Sequence, residues 1–187
     1  LHGDQIAVDS REVPRTHIAT RVNKLTMDVR VRDNVLIQQP GYPLNVEKVD
    51  LADGKLEIEN LNNNQVPGKR VENAEVNENC NLILNKLTVR GSKVGSNIRV
   101  VSGGDIAVGD VRVPGFTNRL GDIFLNAAGK IVPYFLNTGI NLVADDLEMV
   151  AGSDIKGLDI QAKKTSRLLS RTGDIDIHLF NHDQDRA

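Results

Sequence analysis

Gly104-Asp105-Ile106-Ala107-Val108 sets a pattern that the chain repeats as Gly121-Asp122-Ile123-Phe124-Leu125, as Ser153-Asp154-Ile155 and as Gly173-Asp174-Ile175-Asp176-Ile177. The acids are 17, 32 and 20 residues apart, and the long interval has room for two passes because Gly139-Ile140-Asn141-Leu142 falls inside it. A period near 17–20 residues is close to one winding of a β-solenoid, where each turn of the chain lays two or three short strands on the turn below. A lone winding cannot cover its own apolar face. Its neighbours must do so.

Outward from that motif, apolar side chains recur at every second position, as half-buried strands require. Leu25-Thr26-Met27-Asp28-Val29-Arg30-Val31, Leu56-Glu57-Ile58-Glu59, Leu87-Thr88-Val89, Ile98-Arg99-Val100, Leu147-Glu148-Met149 and Ile175-Asp176-Ile177-His178-Leu179 all alternate in this way. Between them stand Asp53-Gly54, Gly103-Gly104, Pro114-Gly115, Ala128-Gly129, Thr138-Gly139 and Thr172-Gly173, where the chain can turn. Two stretches, 73–87 and 162–171, also admit a helical reading, and each can equally be turn plus strand. Residues 40–48 and 60–79 read as longer excursions, either plain spacers or places where specificity resides.

Composition agrees with this pattern. Val, Ile and Leu number 21, 14 and 19, against six aromatic residues, so the core must be aliphatic. Branched aliphatic side chains can pile in register inside a narrow bore that would not admit large rings. About 20 residues per winding would make roughly nine windings and a rod on the order of 45 Å long. The expectation is one all-β domain over residues 1–187, a parallel β-solenoid, with a polar tail at 181–187. An antiparallel β-sandwich is the alternative, because alternation looks the same in both.

Lys plus Arg number 23 and Asp plus Glu 25, and the net charge of −2 supplies no basic face for nucleic acid or a membrane surface. No apolar run approaches the roughly 18 residues of a membrane helix, so no membrane insertion is expected. The single cysteine, Cys80, excludes an internal disulfide framework and reads as a small core or turn residue. The opening Leu1-His2-Gly3-Asp4-Gln5 has neither an initiator Met nor the regions of a signal peptide, so the chain reads as part of something longer or as a mature product.

Gly-Asp-Ile followed by alternation, and the run Ile140-Asn141-Leu142-Val143-Ala144-Asp145-Asp146-Leu147-Glu148-Met149-Val150-Ala151-Gly152-Ser153-Asp154-Ile155, resemble the repeats of very large bacterial surface proteins of the filamentous-haemagglutinin and adhesin type. The resemblance covers residues 81–180 and, more faintly, 20–60. It implies a right-handed parallel β-helix, an extracellular or cell-surface location and a role as adhesin or structural stalk. Partners would then be a host or neighbouring-cell surface glycan or protein, or flanking domains of the same chain. Winding lengths vary more here than in the most regular members.

Several constellations bear on chemistry. Asp105, Asp122, Asp154 and Asp174 could stack as an acidic ladder, whose repulsion Ca²⁺ would relieve, or each could accept a backbone N–H at a corner. The corner reading is favoured, because only Ser102-Gly103-Gly104-Asp105 comes near a calcium-binding repeat. A carbohydrate-active β-helix would use paired carboxylates, and Asp122 with Asp145-Asp146, or Asp174 with Asp176, are the pairs to test. The chain has no Trp, and Tyr42 and Tyr134 lie far apart, so sugar stacking is poorly provided for. His178 and His182 are four apart, about 13 Å along a strand, too far to share a metal. Asn97, Asn118, Asn126, Asn137 and Asn141 are candidates for amide ladders. The reading is a non-enzymatic scaffold with no cofactor, whose binding loops carry Tyr42, Phe116, Asn118 and Arg119.

Overall fold

Alternation becomes strands almost throughout. The structure, a computed structural model, describes residues 15–19, 24–29, 34–39, 41–52, 54–62, 64–90, 97–114, 121–134 and 139–180. Among the described residues thirteen strands follow one another: β1 (Arg15–Ala19), β2 (Lys24–Val29), β3 (Asn34–Gln38), β4 (Leu44–Leu51), β5 (Lys55–Asn60), β6 (Leu82–Val89), β7 (Asn97–Ser102), β8 (Ile106–Arg112), β9 (Asp122–Ala127), β10 (Ile131–Pro133), β11 (Leu142–Ala151), β12 (Ile155–Ser170) and β13 (Ile175–Leu179). Among the described residues the only helical element is a 3-10 turn, Glu78–Cys80, so the chain is all-β.

Up to β11 and β12, strands stack in two series, odd in the order β1-β3-β5-β7-β9-β11 and even in the order β2-β4-β6-β8-β10-β12, and β13 lies on β12. Every pairing among the described residues is parallel. The antiparallel sandwich that alternation also allowed is therefore not what forms. Successive partners such as Arg15 and Asn34, Val35 and Leu56, Asn97 and Asp122, and Ile155 and Ile175 lie 19, 21, 25 and 20 residues apart. We call one pass through an odd and an even strand a rung. The two series meet where β11 pairs with β12 from Leu142 opposite Ile160 to Ala151 opposite Ser170, and β8, β10, β12 and β11 close a ring of four parallel strands.

The inward residues of each series stack in register. Leu44, Leu82, Ile106, Ile131 and Ile155 form one column, and Leu56, Ile98, Ile123 and Leu147 another; all are buried. They belong to one continuous aliphatic core. Each such side chain contributes about 1.5–3 kcal/mol on burial, which opposes the entropy cost of ordering its rung. Rungs approach so closely that a Cβ added to Gly152 would lie 1.9 Å from the Ala128 carbonyl oxygen.

Two expectations need correction. Residues 40–48 are not an excursion: Leu44–Leu51 is β4, because Leu44, Val46, Val49 and Leu51 fill the bore and only 41–43 turn. Neither helical reading holds, since 82–87 lie in β6 and 162–170 in β12, with Glu78–Cys80 the only helical turn in either stretch. The second is a strand for an electrostatic reason: Lys163, Lys164 and Arg167 find Asp145, Asp146 and Glu148 beside them on β11.

The 60–79 excursion is real and lengthens the steps across it, so that Leu56 faces Ile98, 42 residues on, and Leu44 faces Leu82, 38 residues on. It is a fixed strap. Leu61 and Val71 pack with Val101 and Ala128 in a second small core. The Val71 N–H donates to Asn126 Oδ1 (2.7 Å), the Gly68 N–H to Glu59 Oε1 (3.0 Å) and the Asn77 N–H to the Gly103 carbonyl (2.9 Å).

Candidate functional site

The residue before each inward column of the even series is Asn81, Asp105, Lys130, Asp154 and Asp174 in turn. The Asp105 N–H donates to Asn81 Oδ1 (2.7 Å), the Lys130 N–H to Asp105 Oδ1 (2.9 Å) and the Asp174 N–H to Asp154 Oδ1 (2.9 Å). Each side chain thus reaches across to the next rung. That reach explains the glycine of the motif: a Cβ at Gly104, Gly129 or Gly173 would lie 2.3, 2.1 or 2.3 Å from the Oδ1 of Asn81, Asp105 or Asp154. Lys130 has no side-chain acceptor to extend toward the next rung, and there the motif has Ser153 in place of glycine.

The expected acidic ladder is therefore corrected in two respects. Asp105, Asp154 and Asp174 share a column, but Asp122 belongs to the other series, in a column running Lys55, Asn97, Asp122, Asp146. The shared acids are also interleaved with cations: Lys130 Nζ lies 3.6 Å from Asp105, and Lys156 Nζ lies 3.1 Å from both Asp154 and Asp174. The Asp174 N–H and then the Lys156 ammonium hold the Asp154 carboxyl below the usual carboxylate range, and the same two acids raise Lys156. Among the described residues no three His, Cys, Asp or Glu side chains converge as metal ligands would.

The second column uses the same device. Asn97 Oδ1 accepts the Asp122 N–H (3.2 Å), Asp122 accepts the Asp146 N–H, and Asp146 Oδ1 accepts the Ser166 N–H (3.0 Å). Here it borders an open groove of about 300 Å³ on the outer face of β5, β7, β9 and β11. Glu57, Arg99, Phe124 and Glu148 occupy one register row of its floor. The guanidinium carbons of Arg70 and Arg99 lie 5.3 and 5.4 Å from the Phe124 ring centre, and Arg70 and Arg99 also pair with Glu148 (2.6 Å) and Glu59 (2.9 Å).

Asp122 and Asp146 titrate apart. Loss of solvation pushes the Asp122 carboxyl up, reinforced by the charges of Asp146 and Asp145 and opposed by the Asp146 N–H and the Lys164 charge. Loss of solvation pushes Asp146 the same way, but the bonds from Lys164 and Ser166 together outweigh it and hold Asp146 low. Opposed shifts on neighbouring acids are the arrangement that acid–base chemistry uses.

Comparison with protein-family models, with curated proteins and with solved structures returns no match.

Of the other expected site residues, Tyr42 is exposed at the turn before β4, and its carbonyl accepts amide N–H groups from Gln39 (3.1 Å) and Asn60 (2.7 Å). Phe116, Asn118 and Arg119 lie outside the described residues, as do Asn137 and His182. His178 is exposed on β13 beside Asp159 (3.2 Å). Cys80 is buried, and that burial raises its thiol pKa. Asn126 and Asn141 do not form a continuous amide ladder; each bridges local backbone, Asn126 to the strap and Val150, Asn141 to Val108, Gly109 and Asp159. Sequence reasoning missed the contact of Arg70 and Arg99 with the Phe124 ring. Its members come from the strap and two strands, and no local spacing joins them.

Proposed function

We propose that the chain is a right-handed parallel β-helix acting as a non-catalytic rod of a large bacterial cell-surface or secreted protein, which spaces and displays binding loops. The carrying observation is the unbroken aliphatic bore: one column of Leu44, Leu82, Ile106, Ile131 and Ile155, buried in five consecutive even strands. Right-handedness is supported by the general rule that a chain leaving one parallel strand and returning beside it crosses over with that hand. The strap is bonded down, so display belongs to the Tyr42 turn and to residues 114–120. The partner class is a surface glycan or protein of a host or neighbouring cell. Anchored on an inert cell, the chain should confer adhesion that Tyr42→Ala or Phe116→Ala reduces; adhesion at the level of the anchor alone would remove the display role.

One observation favours a second reading. The opposed shifts of Asp122 and Asp146 beside a groove suit a carbohydrate-active enzyme. The rod reading expects no release of reducing ends from acidic polysaccharides. Release that Asp122→Asn abolishes would replace it with the enzyme.

A further inference from the structure

The groove on the outer face of β5, β7, β9 and β11 runs along the rod, between the register row of Phe124 and that of Asp122. Three strand spacings make it about 14 Å long. Leu56, Ile98 and Ile123 lie between the two rows and turn their side chains into the bore, so the bed of the groove is backbone. Such a bed suits an extended chain laid across the strands.

The charges around it are unevenly satisfied. Arg99 is bonded to Glu59, Glu148 to Arg70 and Arg167, and Asp146 to Lys164 and Ser166, while Lys55 is also engaged. Two carboxylates are left. Among the described residues the Glu57 carboxylate has no hydrogen bond or ion pair, and the Asp122 carboxylate accepts only the Asp146 N–H. Loss of solvation, and then the charges of Asp146 and Asp145, work against the ionised form of Asp122. A cation beside it would offset both. Glu57 and Asp122 stand two strands and two residues apart, about 12 Å, so one ammonium cannot serve both and the ligand must carry at least two. Apolar and aromatic ligands are poorly provided for, because Arg70 and Arg99 already stand over the Phe124 ring. A hydroxyl is better served: Asn97 gives its Oδ1 to the Asp122 N–H and keeps its amide N–H groups to donate.

We propose that the groove binds a de-N-acetylated amino-sugar glycan lying along the rod, with one primary ammonium on Asp122, another on Glu57 and a sugar hydroxyl on Asn97. Each ammonium exchanges water for a charge-assisted hydrogen bond to a carboxylate. The proposal rests on the surface-glycan reading of the partner, and gives that partner a chemistry and a place on the shaft of the rod.

The probe is a β-1,4-linked glucosamine tetramer, titrated into the full chain by calorimetry at a pH slightly below neutrality. Saturable binding that weakens at high salt is expected. The N-acetylated tetramer keeps the same ring hydroxyls without the charges and should bind about tenfold more weakly or worse. Asp122→Asn and Glu57→Gln, read only if they keep the parent fold by circular dichroism, should each weaken binding of the amino tetramer by about threefold to tenfold, and Asp176→Asn on β13 should leave it unchanged. No binding, equal binding of the acetylated tetramer, or binding indifferent to both groove variants overturns the proposal. So does tetralysine or spermidine binding as tightly with the same dependence on Asp122, which would make charge alone the ligand. Mass spectrometry of the mixture keeps this apart from the rod reading: a cleaved tetramer would leave the glycan assignment standing and remove the non-catalytic rod, whereas an intact, unbound tetramer beside undiminished cell adhesion would remove only the groove.

Discussion

Ile155 and Ile175 hold the same place in successive rungs, yet the first is fully buried and the second is 43% exposed. Their sequences are nearly alike, Ser153-Asp154-Ile155 against Gly173-Asp174-Ile175. What separates them is a neighbour. Ile155 has β10 on one side and β13 on the other, whereas among the described residues Ile175 has only β12. A motif in this fold gains its burial from the rung laid beside it, so most of its stability belongs to rungs covered on both sides.

Substitutions can break that comparison, and the largest effect should come from the tightest approach between rungs. Gly152→Ala drives a Cβ into backbone oxygen that cannot move aside, and a loss of about 4 kcal/mol or more is expected in denaturant titrations. Gly129→Ala, whose Cβ meets first the Asp105 carboxylate and no backbone atom closer than 3.3 Å, should cost distinctly less. Next, Ile155→Ala should cost about 2–5 kcal/mol and Ile175→Ala under about 1 kcal/mol, because only the first leaves a sealed cavity. Equal costs would mean that Ile175 is as well covered in solution as Ile155.

The role of the cross-rung acceptor can be isolated by a cycle. Gly129→Ala should destabilise the chain, and Asp105→Ala should relieve part of that loss by removing the oxygen that the new Cβ meets, with a coupling of about 0.5–3 kcal/mol. Strict additivity would contradict the ladder. The smallest effects concern charge. Asp122 has a raised folded pKa, so its ionisation opposes folding once the pH is above the unfolded value; Asp122→Asn should raise the melting temperature at pH 7. Asp146 has a lowered one, so its contribution is present above the unfolded value and lost as pH falls; Asp146→Asn should lower the melting temperature at pH 7. Both differences should shrink below about pH 4.

Much of this was legible in the sequence. Alternation and turn residues marked many of the strands, among them Leu56–Glu59, Ile98–Val100 and Ile175–Leu179; the Gly-Asp-Ile motif marked corners, but its 17-residue first interval crosses from one series to the other, and only Asp154 to Asp174 spans one rung. The role of its acids was half legible: an N–H acceptor at a corner was expected, but the donor lies on the next rung, about 20 residues away, where no local rule looks. β4 was overlooked because Pro40-Gly41-Tyr42-Pro43 draws attention to the turn, while the following Leu44-Asn45-Val46 alternation is interrupted by Glu47-Lys48. The groove was least legible. Asp122 and Asp146 were named as a pair, but Arg70, Arg99 and Phe124 meet only after the strap folds back over two strands.

The stacking itself is tested most directly by a pair of cysteines on neighbouring rungs. Ile83 and Ala107 are register partners in β6 and β8, while Val132, partner of Ala107 in β10, lies two rungs from Ile83. Adjacent parallel strands are about 4.8 Å apart, within disulfide reach, and the doubled spacing is beyond it. In a Cys80→Ala background, Ile83→Cys with Ala107→Cys should form an intramolecular disulfide under mild oxidation, and Ile83→Cys with Val132→Cys should not. A first pair that stays reduced while the second closes would contradict the parallel stack.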